Sequence, residues 1–209
     1  MKKGCELNVY LASGNPHKLE EFKFLMETGN RALKLYPPAA AGGMPEVEET
    51  GEHFLENAVL KAEALAGTAP PGAWVLADDS GLEVDALGGA PGVRSARYAS
   101  EAGDAGANNR KLLRELEGVP EEKRTARFVC VLVLLSVQGE RHSFEGRCEG
   151  TIVDRAAGTE GFGYDPLFRP RGYDRTFAEL GSEIKNRLSH RSQALDRLNA
   201  FLGNARFSP

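Results

Sequence analysis

Two adjacent carboxylates, Asp78 and Asp79, follow the apolar run 74–77 and precede Ser80-Gly81. Open α/β sheets usually place their ligand sites just past a buried strand, and carboxylate oxygens there can hold a hard divalent cation. Asp-Ser-Gly is also ordinary turn chemistry, so the tetrapeptide alone leaves a solvated turn open. Glu46, Glu48 and Glu49 precede a helical pattern. They offer further carboxylate oxygen, or they simply complement the positive end of a helix dipole.

Cationic candidates lie on either side of these acids. Ser13-Gly14-Asn15-Pro16-His17-Lys18 joins an apolar run to a helical pattern, so its backbone amides and the Lys18 ammonium can meet a phosphate. It is not a Walker sequence, since G-x-x-x-x-G-K-[ST] is absent, and a plain capped turn reads the same way. Lys61 follows Asn57 by four residues and shares its helix face, where a solvated lysine is the ordinary expectation. Gly161-Phe162-Gly163-Tyr164-Asp165-Pro166 is a tight turn with two aromatics, suited to stacking a base or plugging a core. Ser189-His190-Arg191 reads as a helix start, with His190 more simply structural than catalytic.

The elements that must position these residues follow from periodicity. Residues 7–12 read as a strand, and Leu19, Phe22, Leu25 and Met26 recur at helical spacing after Pro16, with Asn15 as the cap. Residues 33–36 suit a second strand and 37–45 a Pro/Ala/Gly loop. A helix is expected from about Thr50 or Glu52, with Phe54, Ala58, Ala62 and Leu65 inward and Gly67 near its end. The strand 74–77 runs into the Asp pair, a glycine-rich loop follows at Gly88, Gly89 and Gly92, and Leu112, Leu113 and Leu116 mark a third helix. Residues 128–135 lack alternation, as a strand covered on both faces would. Gln138-Gly139 suggests a hairpin into an edge-like partner at 142–148. The Gly/Pro-rich stretch 158–172 leads to a C-terminal helix carrying Leu188, Leu195, Leu198 and Leu202.

Composition limits the partners. The 209 residues are 41% hydrophobic and 27% charged, with a net charge of −4. That suits a globular chain without the basic stripe of a nonspecific nucleic-acid or membrane-surface binder. Cys5, Cys130 and Cys148 form no CxxC pair and have no histidine at ligand spacing, so neither a disulfide framework nor a zinc site is expected. With no secretory h-region and no apolar run near the ~20 residues of a spanning helix, a cytoplasmic protein is expected.

Taken together, SGNPHK at 13–18, EETG and ENAVLKA within 48–63, ADDSGLEVDALGGAPGVRSARYA at 77–99, GFGYDPLF at 161–168 and SHRSQAL at 189–195 closely resemble the inosine triphosphatase-like (XTP/dITP pyrophosphatase) family, in its order and spacing. The resemblance spans nearly the whole chain. It implies an α/β fold: a long mixed β-sheet flanked by helices, with two lobes around a central cleft. Residues 1–209 then form one domain, its main lobe about 1–125 and 177–209 and its second about 126–176. Homodimers are usual in the family.

The same resemblance implies hydrolysis of non-standard purine nucleoside triphosphates (XTP, ITP, dITP) to the monophosphate and pyrophosphate, with Mg²⁺ as cofactor. Ser13, Gly14, Asn15, Pro16, His17, Lys18 and Lys61 would bind the triphosphate. Glu49 and Asp79 would hold the metal, Glu48 being the adjacent alternative to Glu49, and Asp79 would accept the proton. Ser80 would line the substrate site, with Phe162, Gly163, Tyr164, Asp165, Lys185, His190 and Arg191 around base and sugar. The chain departs from the pattern with Ser13 where Thr is commoner, with Pro16-His17, and with extra residues at 37–45. The rival expectations are a Maf-like pyrophosphatase acting on other nucleotides and a nucleotide-binding protein without catalysis.

Overall fold

In the computed structural model, residues 7–28 and 33–204 are described. Strand β1 (Leu7–Ala12) leads into α1 (Pro16–Thr28). The Asn15 side-chain carbonyl accepts from the amides of His17 (3.0 Å) and Lys18 (3.2 Å). Asn15 is thus the expected cap, satisfying first-turn donors that the helix itself leaves unpaired. Strand β2 (Leu33–Tyr36) follows, and a 3₁₀ turn, Pro38–Ala41, lies in the loop expected at 37–45.

Helix α2 (Phe54–Ala66) begins later than the expected Thr50 or Glu52. The Glu56 carboxylate turns back to accept from the amides of Glu52 (2.7 Å) and His53 (3.2 Å), which holds those residues in the preceding loop. Strand β3 (Trp74–Val84) runs straight through Asp78 and Asp79 instead of ending before them. Helix α3 (Ala105–Glu115) starts at Asp104, whose carboxylate accepts from the amides of Gly106 and Ala107.

Strands β4 (Thr125–Leu135) and β5 (Arg141–Ile152) follow, and β6 (Phe168–Pro170) lies in the Gly/Pro-rich segment where no strand was expected. The six strands form one mixed sheet in the order β2-β1-β3-β4-β5-β6. β1 is parallel to both β2 and β3, and β5 is antiparallel to β6, with Ile152 opposite Phe168 and Gly150 opposite Pro170. β5 is therefore not the edge. A Cβ at Gly150 would fall inside the Arg169 carbonyl and the Phe168 ring, so glycine is what lets β6 approach. The single C-terminal helix expected from the leucine spacing is divided into α4 (Phe177–Leu188), itself kinked at Gly181 (φ 80°, ψ 171°), and α5 (His190–Asn204), separated where Ser189 turns extended (φ −64°, ψ 155°).

The chain divides into two compact units. The first takes the residues up to Asp79, 131–145 and those from Ser192 onward; the second takes 80–130 and 146–191. β3 passes from the first to the second at the Asp79–Ser80 peptide bond. The core of the first packs Ala12, Ala58, Ala62, Leu65, Val75, Ala77 and Val133, whose many alanines permit close helix–sheet approach. That of the second is bulkier, with Leu82, Leu112, Leu116, Ile152, Leu167 and the tilted Phe128–Phe168 pair at 4.6 Å. Among the described residues no helix is long and apolar enough to cross a membrane.

Candidate active site

Consecutive residues of a strand point to opposite faces, and Asp78 and Asp79 of β3 meet different cations. Asp78, fully buried, is ion-paired with Lys18 in the first turn of α1. Asp79, 4% exposed, accepts on Oδ1 from Lys61 Nζ of α2 at 2.6 Å. Each buried carboxylate is thus matched to a buried or half-buried ammonium, which is what allows a polar pair inside a strand. Glu49 Oε2 lies 3.5 Å from the same Lys61 Nζ, whereas Glu48 is exposed. Glu49 is the residue of the two that faces the Lys61–Asp79 pair.

The electrostatics of this group pull both ways. Burial pushes the Asp79 carboxyl above its usual value, with neighbouring Glu49 adding to the effect, while Lys61 and Lys18 oppose it and do not fully compensate. Burial alone would lower Lys61, but Asp79, Glu49 and Asp78 outweigh it and hold the ammonium above its usual value. Lys61 is therefore charged at neutral pH, and Asp79 takes a proton more readily than an ordinary carboxylate does.

Asp79 Oδ2 is buried and has no hydrogen-bond partner among the described residues. An orphaned carboxylate oxygen is costly unless a cation or donor completes it. No group of three or more acidic, histidine or cysteine side chains placed to hold a metal occurs among the described residues. Asp79 Oδ2 with Glu49 nevertheless fits Mg²⁺, which binds through one or two carboxylates and takes its remaining oxygens from water and substrate phosphates.

The loop bearing Glu49 is clamped by a residue without an expected role. Asn57, fully buried on α2, accepts from the Gly51 amide at 2.8 Å and donates to the Gly51 carbonyl at 3.3 Å. The only trace in the sequence was the shared face of Asn57 and Lys61. At 13–18, Ser13 is buried and accepts from the Asn15 amide at 3.3 Å, while Gly14, Pro16 and His17 are exposed. Because Asn15 already holds the amides of His17 and Lys18, the Lys18 ammonium and the open backbone at Gly14 are what this turn offers an anion.

The remaining expected residues belong to the second unit. Asp165, 1% exposed, accepts on Oδ2 from the Phe162 amide (2.8 Å) and from Lys185 Nζ (2.6 Å). The Phe162 ring carries Lys185 Nζ at 4.3 Å and the Arg191 guanidinium carbon at 5.5 Å from its centroid, both within cation–π range. Arg191, itself buried, donates to Ser80 Oγ at 2.8 Å. The Tyr164 hydroxyl donates to the Ser95 carbonyl at 2.8 Å, and Ser95 Oγ accepts from the Leu82 amide, also at 2.8 Å. His190 stacks on Phe128 at 4.9 Å and 13°.

The first unit thus carries buried carboxylate–lysine pairs with one open carboxylate oxygen, and the second an aromatic turn flanked by two cations. The chain belongs to the Ham1 family, which it matches over residues 9–201. A dITP/XTP pyrophosphatase of Opitutus terrae is 50% identical over 196 residues, 92% of this chain and 97% of that protein. One of Bacillus subtilis is 47% identical over 192 residues, 92% of this chain and 95% of its own. Among solved structures, the Staphylococcus aureus Ham1 protein superposes with a TM-score of 0.82 at 41% identity, covering 94% of this chain and 98% of that one. A HAM1 protein from Coxiella burnetii gives 0.83 at 39% identity, with 95% and 100% covered.

Proposed function

We propose that this chain hydrolyses non-standard purine nucleoside triphosphates, such as XTP, ITP and dITP, to the monophosphate and pyrophosphate, and so clears them from the nucleotide pool. The observation that carries this is the buried Asp79, with Oδ1 on Lys61, Oδ2 open and Glu49 alongside. Relatives near half identity over nearly their whole length are dITP/XTP pyrophosphatases, which supports the same reading.

In this mechanism Lys18, Lys61 and the turn at 13–18 take the triphosphate. The phosphates compete with Asp79 and Glu49 for the Lys61 ammonium, which frees the two carboxylates. A water oxygen attacks the α-phosphorus in line, the bond from that phosphorus to the bridging oxygen breaks, and pyrophosphate leaves with the bonding pair. Ionised Asp79 takes the proton from the water, and Lys18 and Lys61 balance the charge growing on the leaving group. Glu49 and Asp79 would hold Mg²⁺, which gathers the negative charge of the phosphates when bound. With only two protein carboxylates, that ion is expected to bind tightly only together with nucleotide.

Purine choice is assigned to Phe162, Gly163, Tyr164, Asp165, Lys185, His190, Arg191 and Ser80. Lys185 and Arg191 surround the Phe162 ring with donors and positive charge. A 6-oxo purine presents an acceptor to such donors, whereas the 6-amino group of adenine opposes them. Sites built on such hydrogen bonds discriminate by up to ~10⁴–10⁵-fold. Cys130 and Cys148, both buried and neither in a disulfide, suit a reducing cytoplasm, and the homodimer in this reading follows from the family resemblance and is tested by sedimentation.

The test is a panel of ITP, dITP, XTP, GTP, ATP and dTTP with Mg²⁺, assayed separately for pyrophosphate and orthophosphate. Pyrophosphate from ITP, dITP and XTP at far higher kcat/KM than from ATP is expected. Orthophosphate as the first product, or preference for pyrimidine nucleotides, overturns the proposal.

A further inference from the structure

Asn109 of α3 lies outside every segment that suggested a site, yet it reaches the turn that carries Phe162. Its side-chain nitrogen donates to the Gly163 carbonyl at 3.0 Å. The acceptor at that contact requires the amide nitrogen, not the oxygen, to face Gly163. The Asn109 oxygen is then buried with no hydrogen-bond partner among the described residues.

Two local costs follow. A buried carbonyl without a partner destabilises the fold, and asparagine inside a helix is a poor choice because it competes with the backbone for hydrogen bonds. Neighbouring Asn108 shows no such imbalance, since it accepts from the Ala99 amide at 2.7 Å and donates to the Ala96 and Ser95 carbonyls at 2.9 and 3.3 Å. What Asn109 supplies in return is a fixed Gly163 peptide.

Asn109 gives that peptide's carbonyl a donor from outside the turn. On the other side, Asp165 Oδ2 holds the Phe162 amide at 2.8 Å, and Gly161 packs so tightly on the Asp165 carboxylate that a Cβ there would collide with it. Gly163 adopts φ 62° with open space where a Cβ would lie, and the Asp165 amide closes the turn across it onto the Phe162 carbonyl at 3.2 Å. Phe162 is therefore held at its amide and its carbonyl by Asp165 and the following peptide by Asn109, and its ring is the platform on which Lys185 and Arg191 rest.

We infer that Asn109 is a positioning residue for purine recognition, holding the 161–165 turn through the Gly163 carbonyl so that the Phe162 ring and its two cations stay aligned toward the base. The inference rests on the proposed function. Asn109 does not touch the phosphates' partners Lys18, Lys61, Asp79 or Glu49 in this role, so ligands lacking a base should not sense it.

The test compares wild type with Asn109→Ala and the isosteric Asn109→Asp, which keeps the shape and removes the donor. KM and kcat for ITP are measured with inhibition by inosine monophosphate and by inorganic pyrophosphate, and a melting curve for each protein. Alanine is the best helix former, so Asn109→Ala is expected to fold. In both variants KM for ITP should rise about tenfold and inhibition by the monophosphate should weaken to match, as the loss of one buried hydrogen bond gives. Inhibition by pyrophosphate, and kcat, should stay within about twofold of wild type on the same reasoning.

Unchanged KM and unchanged monophosphate inhibition in both variants overturn the inference. So does a parallel loss of pyrophosphate inhibition, which marks a general structural role. A wild-type protein that releases no pyrophosphate from ITP overturns the function proposed above, and the inference with it. A wild type that does so, with variants indistinguishable from it, overturns the inference alone.

Discussion

Lys61 Nζ lies 2.6 Å from Asp79 Oδ1 and 3.5 Å from Glu49 Oε2, so one ammonium is shared by the two carboxylates proposed to hold the metal. The pair is held in a buried environment where an unmatched charge is expensive. Any ligand that draws Lys61 away must supply positive charge to the acids and negative charge to the lysine. A metal-bound triphosphate does both.

Lys61→Ala should therefore damage substrate handling in ground and transition states together. KM for ITP is expected to rise and kcat to fall, with kcat/KM reduced at least ten- to a hundredfold, the range of about 1.5–3 kcal/mol for a hydrogen bond to a charged group. Without nucleotide the variant should also melt earlier, since breaking a buried pair costs about 3–5 kcal/mol before the abandoned carboxyl relieves it by taking a proton. Steady-state kinetics at several Mg²⁺ concentrations, with melting curves, check both. Wild-type kinetics would leave Lys61 only the structural role of pairing the buried Asp79.

Asp79 makes a pH prediction. Burial raises its folded pKa above the usual carboxylate value of 3.8, so the folded protein binds this proton more tightly than the unfolded chain. Its contribution to stability is present below that unfolded value and is lost as pH rises through the folded one. Wild-type stability relative to Asp79→Asn should decline over that interval in metal-free buffer. Denaturant titrations of both proteins from pH 4 to 7 measure it. A wild-type advantage that grows with pH would mean that Asp79 is held ionised and that the ion pair dominates burial.

Gly51→Ala should disturb Glu49 without changing any side chain of the Lys61–Asp79–Glu49 group. A Cβ there would lie 2.6 Å from Glu56 Cβ and 2.7 Å from Asn57 Oδ1, so the loop must shift or the Asn57 clamp must open. Overpacking of this kind typically costs about 1–3 kcal/mol. The expected outcome is a lower melting temperature together with a higher Mg²⁺ concentration for half-maximal activity. An unchanged Mg²⁺ requirement would separate the clamp from the metal-binding role of Glu49.

The elements that could be read from local pattern were those whose partners are near in sequence. Asn15 caps the next helix through amides two and three residues on, and the buried face of α2 follows from its own spacing. What could not be read depended on distant pairing. Asp78 and Asp79 look like turn residues until Lys18 and Lys61 neutralise them, after which the strand can continue to Val84. β6 has only three residues and is defined by a glycine on β5, and the Ser189 break interrupts a leucine pattern that carries on across it. The Asp165–Lys185 pair joins residues with no periodic relation. The Asp79, Lys61 and Glu49 grouping was reached through family resemblance, since each alone passes for an ordinary surface residue.

Arg191→Ala should alter selectivity more than rate. The guanidinium is buried, donates to Ser80 Oγ and lies over the Phe162 ring. Its loss should lower kcat/KM for ITP and XTP roughly ten- to a hundredfold while changing the residual ATP rate much less, because a 6-amino purine loses a donor that opposed it. ITP, XTP and ATP assayed side by side, with a melting curve, decide the matter. A parallel decline of all three would assign Arg191 to packing.

The central claim is that water attacks the α-phosphorus with Asp79 as proton acceptor, and turnover of ITP in ¹⁸O-enriched water tests it most directly. Single turnover with wild type and folded Asp79→Asn, followed by mass analysis of both products, is the measurement. The account predicts one ¹⁸O atom in the inosine monophosphate and none in the pyrophosphate, with Asp79→Asn slower by about 10²–10⁴-fold. Label in the pyrophosphate, or a folded Asp79→Asn protein turning over near the wild-type rate, would contradict it.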